Sequence, residues 1–155
     1  MNKKFILIFM CLLCFGFILF NSLQNSSASH ARSMDVVENI TSVMSNTEFG
    51  KNMLTKFNVE QIDHLVRKAA HVSEFFLLGL IISFTLSRFK IDDKNVIIYT
   101  LFTILLIADI DEFVQLFIVN RTSRVSDVFI DFGGGMVAVA LFMIFSCPRG
   151  KHYKK

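Results

Sequence analysis

The sequence predicts an all-α fold: a polytopic membrane helical bundle of about four transmembrane helices, with an amphipathic helix outside it. Three observations carry this. Hydrophobic residues make up 53% of the 155-residue chain, more than a soluble domain of this length needs. They fall in long runs rather than alternating with polar residues, and the mean hydropathy is +0.53. The ionisable residues gather at the ends of those runs.

A span needs about 20 apolar residues at a rise of about 1.5 Å each. Four runs qualify within one membrane domain covering 1–155, at about 5–20, 69–87, 96–119 and 127–147. The first is short, with Lys3 and Lys4 ahead of it and Ser/Ala-rich sequence behind. It reads as a span or as a signal peptide cut near Ala28 or Ala31, and either leaves the next segment outside.

The outer segment, 21–68, begins polar and Ser-rich. Val36, Val37, Ile40, Val43 and Met44 then recur at helical spacing, which predicts an amphipathic helix on the outer leaflet that Gly50 ends. A plain tethering loop is the other reading. Asn58 followed three residues later by Gln61 has the pattern of an N-cap, and the helix beginning there is expected to run on into the second span.

Basic residues set the orientation. Lys3, Lys4, Arg88, Lys90, Lys94, Arg149, Lys151, Lys154 and Lys155 are concentrated on three short segments. Arg32, Lys51, Lys56, Arg67, Lys68, Arg121 and Arg124 are spread over a far longer stretch. The denser set belongs inside, so the chain is expected to be multi-pass in the cell membrane with both termini cytoplasmic. A net charge of +3, located at segment ends, argues against nucleic acid as a partner. Cys11, Cys14 and Cys147 lie in or beside apolar runs, so no disulfide framework is expected. The C-x-x-C spacing of the first two reads as small apolar filler.

With this topology three polar groups reach one depth. His71 and Glu74 lie near the outer end of the second span; Asp111, Glu112 and Gln115 near that of the third; Asp127 and Asp131 open the fourth. All fall within about 3–12 Å of the outer boundary. Arg67, His71 and Glu74 are spaced four and three apart and share a face, as do Asp111 with Gln115 and Glu112 with Gln115. Asp127, Asp131, Gly134 and Ala138 form a third stripe, small towards its inner end as close helix packing requires. Asp109 sits to one side. Facing lipid at mid-membrane would cost about 2.5–3.5 kcal/mol per charge, so these stripes should point into the bundle.

One reading is an outward-facing polar pocket, with His71, Glu74, Asp111 and Glu112 as candidate acid–base groups. Arg67, Lys68, Gln115, Arg121, Arg124, Asp127 and Asp131 complete the candidate ligand-binding set, the arginines suited to a phosphate or carboxylate. The other reading is a structural network in which arginines neutralise carboxylates and pin the helices. No HExxH or comparable spacing points to a metal, and no cofactor is expected.

The same residues carry a family resemblance. Arg67-Lys68-Ala69-Ala70-His71-Val72-Ser73-Glu74-Phe75, continuing into Leu78-Gly79, resembles the "RKxxHxxEY" signature of the VanZ-like family of small membrane proteins. Phe75 stands where that family has Tyr. Asp111-Glu112-Phe113-Val114-Gln115 matches "DExxQ" in full, and Arg121 through Asp127 and Asp131 to Gly134 is similar to "RxxxxxDvxxNxxG". Asp131 replaces the usual Asn, and Val119-Asn120 a common Pro-Gly. The resemblance covers about 22–145. It implies a role in lowered susceptibility to lipoglycopeptides such as teicoplanin, and it supports the matched residues without implying a reaction.

Three functions compete. A factor in contact with the lipid bilayer could bind or shield a cell-envelope component, such as a lipid-linked peptidoglycan precursor or an anionic polymer. A membrane enzyme could modify a lipid-linked or cell-wall head group. An assembly protein would use the polar core only structurally. Binding is favoured, because no established catalytic constellation is present. A transporter fits poorly, since the chain lacks an inverted repeat and its charges stop before the inner half.

Overall fold

A computed structural model describes residues 3–119, 121 and 123–146. Cys147 and the C-terminal basic residues Arg149, Lys151, Lys154 and Lys155 lie outside the described residues. Six helices follow one another: α1 Lys3–Ser22, α2 Ser26–Ser45, α3 Glu48–Leu54, α4 Val59–Arg88, α5 Asp93–Gln115 and α6 Val125–Ser146. The described residues contain no strand, so the all-α expectation holds.

Three helices, α1, α4 and α6, are long and apolar enough to cross a membrane. α5 has 23 residues, but its last two turns carry Asp109, Asp111 and Glu112. Apolar side chains cover much of the outside, as with Phe5, Phe9, Leu12 and Phe17 on α1 and Phe129, Val137 and Ile144 on α6. Helices that are apolar all round suit lipid on one side and a packed bundle on the other. The core between them is built from Ile18, Phe75, Leu78, Ile82, Ile104, Ile107, Ala108 and Val128.

The four long apolar or partly apolar helices alternate in direction. Lys4 lies over the Phe89 ring, 4.6 Å from its centroid, and the Phe84 and Phe142 rings meet edge to face at 5.3 Å, so these mark one end. Ser22 meets Asp111 and Lys68 meets Asp127 at the other. α4 and α6 approach closely because Gly134 has no side chain: a Cβ there would lie 2.5 Å from the carbonyl oxygen of Val72.

The N-terminus of α4 follows the sequence rule. Asn58 accepts from the Gln61 amide at 2.8 Å while the Gln61 side chain accepts from the Asn58 amide at 3.0 Å, a complete capping box. The 30-residue helix then continues unbroken into its apolar half.

The amphipathic segment differs from expectation at its end. α2 stops at Ser45, and Gly50 lies inside α3 rather than breaking a helix. Gly50 instead lets α3 fold back on α2, since a Cβ would sit 2.1 Å from the Met44 carbonyl oxygen. The packing face of α2 runs through Ser33 and Val37, both buried, whereas Val36, Ile40 and Val43 are exposed.

Candidate functional site

The polar side chains collect at the end of the bundle where α1 and α5 finish and α6 begins. Asp111, Glu112 and Gln115 occupy the last two turns of α5 and are all buried. Asp111 accepts from the Ser22 hydroxyl through one oxygen and from Gln115 Nε2 at 2.8 Å through the other. Glu112 accepts from the backbone amide of Arg124 at 3.0 Å, tying the start of α6 to the end of α5.

The α4 face supplies Arg67, His71 and Glu74, one above another. Glu74 Oε1 accepts from Asn21 Nδ2 at 2.8 Å, while its Oε2 is buried with no hydrogen-bond partner among the described residues. Arg67 turns back to Asp63 at 3.2 Å, leaving its Nε buried and without a hydrogen bond among the described residues. His71 makes no hydrogen bond among the described residues, and its Nδ1 is buried. On α6, Asp127 holds Lys68 at 2.6 Å. Asp131, one turn further in, is 3% exposed and has no hydrogen bond or ion pair among the described residues.

Two cavities share this end. The first, about 270 Å³, is lined by Arg67, Lys68, His71, Glu112, Gln115, Arg121, Asp127 and Asp131 together with Ser26, Ser29, His64 and Ile130. The second, about 260 Å³, shares Arg67, His71 and Arg121 and adds Glu74, Asn21, Arg32 and Ser33 among its walls. Asp111 lines neither cavity but lies close to His71 and Asp131: each of the three offers a ligand atom, and these atoms are within 4.8 Å of one another. The Arg124 side chain is exposed and lines neither cavity.

A family model described as VanZ/LLP1 matches residues 5–146. The chain belongs to the VanZ/LLP1 family. No curated protein and no solved structure matches it. The match runs from residue 5 of α1 to the end of α6, so all the cavity residues of this VanZ/LLP1 membrane protein lie within it. Phe75, at the place of the Tyr in the signature, is fully buried in the apolar core beside Leu78 and needs no polar partner there.

Several polar residues of this VanZ/LLP1 protein escape sequence reasoning. Asn21 and Ser22 end α1, where the chain reads as the start of a polar linker, yet they contact Glu74 and Asp111. Asp63 is a second hub. It receives the Ser33 hydroxyl, His30 Nδ1 at 2.9 Å and Arg67 Nη2 at 3.2 Å, so it clasps α2 to α4. Asp63 lies in the polar turns of α4 that precede the apolar stretch. Burial pushes its carboxyl up, but the Ser33 and His30 hydrogen bonds and the Arg67 charge outweigh this and hold it below the ordinary carboxylate value. The available signals were the i, i+4 spacing of Asp63 and Arg67 and the Ser-rich composition of α2.

Proposed function

We propose that this VanZ/LLP1 protein is a four-span membrane factor with cytoplasmic termini, whose polar end faces outward and binds or shields an anionic cell-envelope component. In this reading α5 joins α1, α4 and α6 as a span, the third in chain order. Its Asp111 and Glu112 are tolerated because they are buried against protein rather than lipid. The exposed Val36, Ile40 and Val43 stripe of α2 rests on the outer leaflet.

The observation that carries the reading is the 270 Å³ cavity, where Arg121, Lys68 and Arg67 stand beside Gln115, His71 and carboxylates. Cations with mixed donors and acceptors suit a phosphate beside sugar hydroxyls. The volume is at the low end for ligand sites, enough for a phosphate or sugar group and too small for a whole lipid-linked precursor. The ligand is therefore the head group of such a precursor or one unit of an anionic polymer. Occupying it lowers susceptibility to lipoglycopeptides such as teicoplanin.

One observation favours a second reading, a membrane enzyme that modifies the same head group. The His71 ring makes no hydrogen bond among the described residues and is close to Asp111 and Asp131, an arrangement able to move a proton.

Lipoglycopeptide susceptibility separates the two when membrane protein level is measured alongside. For a binding factor, Arg121→Gln and Lys68→Gln each give a graded loss, comparable to that of Glu112→Gln. For an enzyme, His71→Ala abolishes protection while Lys68→Gln leaves most of it. If every variant protects as well as the parent at equal abundance, neither reading stands.

A further inference from the structure

We infer that His71, Asp111 and Asp131 form a binding site for one divalent transition-metal ion, Zn²⁺ or Mn²⁺, beside the 270 Å³ cavity. The three residues come from α4, α5 and α6, so no local sequence spacing announces the site. Their ligand atoms already lie within 4.8 Å of one another. Metal–ligand bonds of about 2.0–2.2 Å place three ligand atoms roughly 3–3.8 Å apart around one ion, so side-chain shifts of at most about an ångström bring these atoms to an ion.

Asp131 is the independent observation. The residue is 3% exposed, lines the cavity and has no hydrogen bond or ion pair among the described residues. A buried carboxylate is costly unless a cation or a proton meets it. None of the three Lys and Arg side chains lining the cavity pairs with Asp131: Lys68 holds Asp127, Arg67 holds Asp63, and Arg121 donates to the Asn21 carbonyl oxygen at 3.0 Å. The His71 ring is equally uncommitted, with Nδ1 buried and unpaired.

Asp111 has the surroundings expected of a metal ligand. Ser22 and Gln115 each donate to one of its oxygens and fix the carboxylate plane, the outer-shell support that such ligands use. One imidazole and two carboxylates suit Zn²⁺ or Mn²⁺; an imidazole counts against Mg²⁺ and Ca²⁺, which favour all-oxygen sets. With three protein ligands and a cavity alongside, a coordination position stays open to water or to an oxygen of an incoming group. The site stands on this geometry alone and does not depend on what the cavity binds.

The test uses tag-free, full-length protein in detergent micelles. The protein is stripped with a chelator, then dialysed against ZnCl₂ or MnCl₂, with MgCl₂ and CaCl₂ for comparison. Bound metal is read by elemental mass spectrometry and thermal stability in parallel. The wild type should retain one Zn²⁺ or Mn²⁺ per chain and melt at a higher temperature when loaded. Asp131→Asn and His71→Ala should each weaken binding at least about tenfold, since even outer-shell changes cost that much. Asp109→Asn removes an exposed carboxylate on another face of α5 and should bind as the wild type does. Asp131→Asn preserves side-chain size, and an unchanged size-exclusion profile separates loss of the site from loss of the fold. A wild type that retains no ion overturns the inference. So does wild-type affinity in either ligand variant, or equal retention of Mg²⁺ or Ca²⁺.

Discussion

The hydroxyl of Ser22, in the last turn of α1, donates to the carboxylate of Asp111 on α5, and both side chains are closed off from solvent. Ser22→Ala leaves a buried carboxylate oxygen short of a donor, at a cost of about 1–3 kcal/mol. Thermal unfolding in detergent should show the loss. In an Asp111→Ala background the same substitution should cost far less, because the acceptor is already gone.

Gly133 and Gly134 make a matched pair. A Cβ at Gly134 would stand 2.5 Å from the Val72 carbonyl oxygen, whereas one at Gly133 meets nothing within 4 Å. Gly134→Ala should destabilise the α4–α6 contact by about 1–3 kcal/mol, the usual cost of overpacking. Gly133→Ala should be neutral or gain about 0.5–1 kcal/mol from helix propensity. Melting temperatures of the two variants that move together would contradict the close approach.

Asp63 predicts an acid-sensitive attachment of α2. Its pKa in the folded state lies below the unfolded value of about 3.9, so the native protein binds fewer protons there. The resulting stability is present above that unfolded value and is lost as pH falls through the depressed folded value. The stability gap between wild type and Asp63→Asn should therefore shrink as pH drops below about 4. Melting curves measured from pH 3 to 6 would reveal it, and a constant gap would argue against the clasp.

Lys68 and Asp127 are 28% and 26% exposed and 2.6 Å apart. A charged hydrogen bond with that much solvent access should show a coupling of about 0.5–1 kcal/mol in a double-mutant cycle. Raising the salt concentration should reduce it. A coupling that salt does not change would mean the pair is drier than its exposure implies.

The long-range plan of the fold was legible where one helix carries its own signal. Asn58 and Gln61 announced the start of α4 because a capping box is local, and the three polar stretches announced one polar end because helical rise fixes depth. Gly50 misled because glycine serves both to end helices and to permit close contact, and only the position of Met44 decides between them. Arg67 illustrates a further limit. Its spacing placed it on the face of His71, but its guanidinium is drawn back one turn by Asp63. His71, Asp111 and Asp131 could not be grouped as neighbours from spacing, because their proximity depends on how α4, α5 and α6 pack.

Asn21 sits where four parts of the chain meet. Its amide nitrogen donates to Glu74 on α4, its amide oxygen accepts from Arg32 on α2, and its main-chain oxygen accepts from Arg121 in the α5–α6 connection. Asp would keep the acceptor and lose the donor, Ser would reach neither partner, and Gln would overshoot both by a carbon. In a saturation library this exposed-looking position, at the edge of a hydrophobic run, should tolerate fewer letters of the alphabet than the leucines beside it.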